Sequence, residues 1–182
     1  HKIAGGGVLR QVYNFESGFL LNYRFEMEGL QDKIARKNNE YSLDWIVQLP
    51  QQEKSLKDER DYSTVYYKYK NEGDIDYLSE RQDDDDELQA NVQWISFKQK
   101  FFSSILISKD GLEESGTTIE VRQPESDDYV EYMEANISLP YDFEETEKEQ
   151  FQFYFGPNHY QTLKKMDMSM EKVVPLGWGI IG

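Results

Sequence analysis

The sequence contains no cysteine, only two histidines, five prolines and no apolar run longer than a few residues, and each scarcity removes a class of chemistry. Without cysteine there is no disulfide, no thiolate metal site and no thiol nucleophile, although this alone does not fix the compartment. One histidine is the first residue, so His159 alone could supply an imidazole acid or base within the chain. Bases are also scarce: 20 Lys and Arg stand against 35 Asp and Glu, for a net charge of -15 and a pI near 4.5. That balance argues against the phosphate-contacting surface nucleic-acid binding requires. With a mean hydropathy of -0.80, no segment has the length of apolar sequence that spans a bilayer. There is no G-x-S-x-G elbow, and Gly5-Gly6-Gly7 precedes a strand rather than opening a helix, so neither a hydrolase nucleophile nor a phosphate loop is indicated.

What is abundant is aromatic residue: 13 Tyr, 10 Phe and 3 Trp in 182 residues. A chain of this length buries roughly 70% of its unfolded surface, enough for one self-sufficient core. Residues 1–7 are set aside as a tag or linker remnant, and a single domain is expected over 8–182. Within it, period-two alternation dominates. Phe19, Leu21, Tyr23, Phe25 and Met27 share one face of a strand while Asn22, Arg24, Glu26 and Glu28 share the other. Tyr41, Leu43, Trp45, Val47 and Leu49 repeat the device up to Pro50. Further strands are read over 62–70, 92–97, 101–108, 117–122, 130–139 and 150–155, the pair at 92–108 being either two strands or one bent one. Turns are expected at Glu16-Ser17-Gly18, Asn71-Glu72-Gly73, Lys109-Asp110-Gly111 and Glu114-Ser115-Gly116. Eight to ten strands with no intervening helix predict an all-β antiparallel sandwich.

The acidity is concentrated. Residues 71–90 carry -8 and residues 110–150 carry -12, leaving +5 for the remainder. The run Asp83-Asp84-Asp85-Asp86-Glu87 lacks the glycine turn and ligand spacing of a calcium loop and is read as a solvated loop. No metal or cofactor site is expected.

After Phe155 the period changes. Gly156-Pro157 reads as a strand breaker with the proline suited to a first helical turn. Tyr160, Leu163, Lys164 and Met166 then fall at helical spacing, and Asp167 or Ser169 could cap a second piece carrying Met170, Val173 and Val174. A sandwich of residues 8–155 followed by a helical segment of 156–182 is therefore expected. The tail from Pro175, with Trp178, is almost wholly apolar and reads as the approach to an interfacial or membrane element.

At Trp94-Ile95-Ser96-Phe97-Lys98-Gln99-Lys100-Phe101-Phe102 the chain resembles the periplasmic domain of YidC-type membrane protein insertases. The stretch from Phe153 to Asp167 is similar to the last strand and Gly-Pro helix start of that domain. Val173 to Gly179 is similar to its approach to the membrane. The strand pattern over 8–27 and the stretch 45–52 also match, while the front part of the family's domain has no counterpart and the acidic insertions depart from its pattern. The resemblance implies a β-supersandwich with one or two short C-terminal helices, on the periplasmic side of a bacterial inner membrane. It implies a non-enzymatic module that contacts Sec translocon accessory subunits or nascent membrane proteins. The family's insertion chemistry lies in membrane helices absent from this chain, so no catalytic residue carries over. The residues expected to form partner or inter-domain contacts are Gly156, Pro157, Tyr160, Leu163, Met166, Val173 and Trp178. The same fold includes sugar mutarotases and lyases, which makes a carbohydrate-binding or mutarotase-like β-sandwich the alternative.

Overall fold

A computed structural model of the chain describes residues 6–30, 40–89, 91–112, 116–140 and 148–175. Among these described residues, eleven strands form two sheets in which every neighbour is antiparallel. The larger sheet has the order β1 (Val8–Phe15), β2 (Leu20–Glu28), β11 (Lys148–Pro157), β8 (Phe102–Leu112), β7 (Val92–Lys98), β4 (Thr64–Tyr69) and β5 (Asp76–Tyr77). The smaller has the order β3 (Glu40–Pro50), β10 (Tyr129–Pro140), β9 (Thr117–Arg122) and β6 (Asp84–Leu88). The all-β sandwich expected from the alternating pattern is what forms.

The core between the sheets follows from that alternation. The odd-numbered residues of β3 turn inward and its even-numbered residues outward, and β10 answers with Met133, Ala135 and Ile137, all fully buried. Trp45 stacks on Phe97 at 3.9 Å between ring centroids and meets Phe153 edge-on at 5.5 Å, so one indole joins β3 to β7 and β11. Each such aromatic contact adds on the order of 1 kcal/mol beyond the area it buries.

Several expectations are corrected. The acidic run is the edge strand β6, not a solvated loop. Its backbone pairs with β9 from Asp84↔Val121 to Leu88↔Thr117, and strand geometry sends successive carboxylates to opposite sides. Asp84 also accepts from the Ser79 amide at 2.8 Å, and Asp86 accepts from the Tyr67 hydroxyl at 3.0 Å. A helix does intervene between strands: α1 (Leu56–Arg60), where Ser55 Oγ accepts from the Asp58 amide at 3.2 Å as an N-cap. Lys109-Asp110-Gly111 is not a turn between strands. It lies inside β8, where the pairing with β7 slips between Val92 and Trp94, and Gly111 has φ +88°. A Cβ there would lie 1.6 Å from the Asn91 side chain, so the irregularity depends on glycine. Residues 92–108 form two strands joined by a short turn. Gly156-Pro157 does not break β11 but ends it, with Pro157 opposite Phe102, and the helix begins three residues later. At a strand terminus the missing N–H of proline costs no ladder bond.

Candidate functional site

The three central strands of the larger sheet are apolar on both faces. Ile95, Phe97, Leu106 and Phe151 point into the sandwich, while Trp94, Ile105, Ile107 and Tyr154 point out of it. An outward face of that composition must be covered to be stable in water. The cover is the C-terminal segment: α2 (Tyr160–Lys164), a turn through Asp167 and Ser169, both in the left-handed region, and a 3-10 helix at Met170–Val173. Leu163, Met170 and Val173 of this cap are fully buried against Trp94, Ile105, Ile107 and Tyr154, giving a second core outside the sandwich. Each contributes about 1.5–3 kcal/mol of burial.

Hydrogen bonds fix the cap at three places along the strands. At its start, Asn158 Nδ2 donates to the carbonyl of Gln99 at 2.7 Å, its Oδ1 accepts from Ser103 Oγ at 2.6 Å, and its amide donates to Phe101 O at 2.7 Å. In the middle, Trp94 Nε1 donates to Met168 O at 2.9 Å, which satisfies the one polar atom of a fully buried indole. At its far end, Lys172 Nζ donates to Gly73 O and to Asp74 Oδ1, both at 2.7 Å, and holds the Asp74 carboxyl below its usual range. The cap thus runs from the β7–β8 turn to the β4–β5 turn, the full length of the sheet.

The residues singled out in the sequence fall into three groups. Leu163, Met166 and Val173 do converge on the second core. Gly156 and Pro157 belong to β11 and serve as its exit. A Cβ on Gly156 would lie 2.6 Å from the Tyr154 ring and 2.9 Å from Phe19, and Pro157 O accepts from the Tyr154 hydroxyl at 2.7 Å. Tyr160 is half-buried but outside the second core, with the Lys164 ammonium 5.4 Å from its ring centroid. Trp178 lies outside the described residues. What the sequence reading missed is the receiving surface and its clamp, Asn158. The available signal was the pair Ile105 and Ile107 flanking Leu106, a run apolar on both strand faces.

Among the described residues the remaining polar features stand apart from one another. His159 is exposed at the N-terminus of α2, its Nδ1 2.8 Å from Thr162 Oγ1. Among the described residues no three His, Asp or Glu side chains come together as a metal site, and no helix is long and apolar enough to cross a membrane. A cleft of about 250 Å³ on the outer face beside β1 and β2 is lined by Asn14, Glu16, Asn22, Arg24, Lys109 and Gln152. Its central amides bond each other, Gln152 Nε2 donating to Asn22 Oδ1 at 3.0 Å. Lys98 is enclosed near the rings of Tyr62 and Tyr66 and donates to Tyr62 O at 2.6 Å; burial pulls its ammonium below the usual lysine range.

Among the described residues, Glu131 is the carboxyl with a buried oxygen that lacks a partner. A slip in the β10–β3 pairing between Tyr129 and Tyr132 turns it inside. Arg60 of α1 takes up the nearby carbonyls, donating to Val130 O and Tyr129 O at 3.0 Å. The Glu131 Oε2 atom has no hydrogen-bond partner, and desolvation pushes the carboxyl up to about 8 despite the pull of Arg60.

Comparison with known proteins reaches the same region of sequence space as the motifs. The YidC periplasmic domain family matches residues 3–181. The membrane protein insertase YidC of Parabacteroides distasonis is 34% identical over 170 residues, covering 89% of this chain and 26% of that protein. That of Bacteroides fragilis is 31% identical over 170 residues, covering 90% and 27%. That of Cytophaga hutchinsonii is 32% identical over 191 residues, covering 98% and 30%. The chain therefore spans less than a third of the length of these relatives.

Proposed function

The chain belongs to the YidC periplasmic domain family, and from that membership we propose that it is a non-catalytic binding and positioning module of a bacterial membrane protein insertase. In this reading residues 8–182 are one domain on the periplasmic side of the inner membrane. Its partners are Sec translocon components and nascent membrane proteins. The sandwich is the body, and the segment from Gly156 onward couples it to the rest of the insertase.

The observation that carries the reading is the cap. A segment with an apolar stripe is packed over the central strands of the larger sheet, along their length, and bonded at both ends, through Asn158 and Lys172, so its path is tied to the body. A linker with no mechanical role would need no such docking. A force or a displacement applied to the sandwich is passed to residues 174 and 175 through Trp94 and Met168 rather than absorbed by a loose chain.

Deleting residues 157–182 from the full-length insertase is expected to impair insertion of a client protein at unchanged expression. Leu163→Asp, which places a charge in the second core, should do the same. Normal insertion by both variants would mean the domain is a spacer and would end the proposal.

A further inference from the structure

The two edges of the smaller sheet are built differently. β6 spans five residues, Asp84–Leu88, and its run of acids is a device by which sheets keep other strands off. β3 spans eleven residues, and between Tyr41 and Leu49 its one charged side chain is Asp44. Its pairing with β10 is regular from Tyr132↔Gln48 to Pro140↔Glu40, and among the described residues no strand lies on its other side. Alternate residues of an edge strand point N–H and C=O away from the sheet, a row that only another extended main chain matches in register. Burial shows the same incompleteness. Met133, Ala135 and Ile137 of β10 are fully buried, whereas Leu43, Trp45 and Val47, inward on β3, are half-buried.

The larger sheet runs on past this edge. β3 lies over β11 and β2, with Trp45 against Phe153 and Tyr41 edge-on to Phe25 at 5.1 Å, and beyond β2 comes β1. Tyr13 of β1 is directly opposite Tyr23, which points into the sandwich, so Tyr13 shares that inner face. It is nevertheless 52% exposed. The Tyr13 ring lies 5.0 Å from that of Tyr23, Tyr23 lies 6.1 Å from Phe153, and Phe153 lies 5.5 Å from Trp45. Ring contacts thus run unbroken from the ledge on β1 to the open strand. One more strand, about 4.8 Å beyond β3, would lie above that row.

These surroundings define the occupant. Its inward side chains meet the aromatic row, so alternate residues are apolar. Its outward side chains stand beside Asp44, which accepts from the neutral Asn136 amide and is paired with no cation among the described residues. Glu134, opposite Ile46 on β10, lies one strand further in. Negative charge at the edge itself therefore favours Lys or Arg at the outward positions.

We infer that the open edge of β3, above the row Tyr13, Tyr23, Phe153 and Trp45, accepts an added β-strand: an extended segment of another polypeptide in which apolar and basic residues alternate. This rests on the binding-module reading above and names the surface and the chemistry of the partner. The edge belongs to the smaller sheet and the cap to the larger, so contact and coupling are divided between the two sheets.

The test is titration of the 182-residue chain with a fluorescent synthetic peptide of about ten residues in which Val and Lys alternate. Saturable binding is expected, with slowed hydrogen exchange at the amides of β3. The same peptide N-methylated throughout its central half keeps the side chains and the charge but loses the strand bonds, and should bind about tenfold more weakly or worse. Asp44→Lys should weaken binding about tenfold, and Asp85→Lys, the same change of charge at the other edge of the sheet, by less than about threefold. Tyr13→Ser should weaken it several-fold. All three positions are exposed, and thermal unfolding within a few degrees of the parent shows that each variant keeps the fold. Absence of binding, equal binding of the N-methylated peptide, equal loss at Asp44 and Asp85, or indifference to Tyr13→Ser overturns the inference. So does sedimentation of the chain alone as a dimer that Asp44→Lys disperses, since the occupant is then a second copy. If peptide binding fails while the cap deletion still impairs insertion, the edge is wrong and the module reading stands. If the peptide binds as described but the cap deletion is harmless, the edge stands and the coupling role falls.

Discussion

The two outward faces of the sandwich obey the same alternation and arrive at opposite surfaces. On the smaller sheet the outward positions are Ser42, Asp44, Ile46 and Gln48 of β3, Tyr132, Glu134 and Asn136 of β10, and Thr118, Glu120 and Arg122 of β9. All but Ile46 are polar, and nothing covers them among the described residues; Arg122 pairs with Glu120 at 2.6 Å and lies over the Tyr132 ring at 4.5 Å. On the larger sheet the outward positions at the centre are Trp94, Ile105, Ile107 and Tyr154, and the cap covers them. The smaller sheet ends in solvent, whereas the larger sheet is the middle layer of three. A face that sequence alternation marks as outer is thus an interior wherever another segment of the chain is available to close it.

The largest expected effect breaks that comparison at its centre. Trp94→Ala removes a fully buried indole together with its bond to Met168 O, and is expected to cost about 3–5 kcal/mol in urea unfolding. Ile46→Ala, at the equivalent outward position of the smaller sheet, is expected to stay within about 0.5 kcal/mol. Equal effects at the two positions would mean that the outer faces are energetically alike and that the cap is not a core.

A second, smaller effect concerns Glu131, where the β10 bulge interrupts the smaller sheet. Its carboxyl titrates near 8 when folded and in the ordinary range near 4.5 when unfolded. The folded state therefore holds the proton more tightly. Stability should be greatest below pH 4.5 with respect to this group and fall as the pH rises towards 8. Glu131→Gln should flatten that fall and raise the melting temperature at pH 8, measured by calorimetry across the pH range. A slope unaltered by the substitution would show that Glu131 is ionised at no cost.

The smallest effect is on the acidic edge. Asp85 of β6, Glu120 of β9 and Glu134 of β10 lie directly opposite one another in register across the smaller sheet, an arrangement in which like charges repel. Asp85→Asn is expected to stabilise the protein by about 0.2–0.5 kcal/mol at low salt, with the gain shrinking as salt is added. A salt-independent change would remove the charge explanation.

Where the sequence was legible, a strand had one wet face. β3 and β2 from Leu21 onward were readable residue by residue because their alternation is complete; Phe19, read as the first inward residue of β2, precedes the strand at φ +71° and turns its ring to Tyr154 on the other face. The acidic run of β6 was not, because repulsion between adjacent carboxylates in the chain says nothing about the backbone pairing made with the distant β9, from Asp84↔Val121 to Leu88↔Thr117. The helix α1 spans only five residues, too short for any periodicity, and only Ser55 followed by Asp58 hinted at it. Leu163, Met166 and Val173 were found by their helical spacing. Their receptor was not, since Trp94, Ile105 and Ile107 sit in strands apolar on both faces, where period two is erased. Asn158 escaped because its four bonds are all to a turn about 55 residues earlier in the chain.

The place of β11 in the larger sheet bears on how the protein comes to be made. It is the last strand in chain order, yet it is inserted between β2 and β8, pairing Phe153 with Leu21 on one side and with Leu106 on the other. Until residues 148–157 have emerged, the sheet exists as two halves with open edges, and the outward face bearing Trp94, Ile105 and Ile107 stays bare until 160–173 follow. Such late, long-range closure makes for slow folding. It also leaves a window in which unpaired strands and an apolar face are exposed together. A domain proposed to work with nascent membrane proteins thus passes through a stage, during its own synthesis, in which it presents the same hazard to its surroundings.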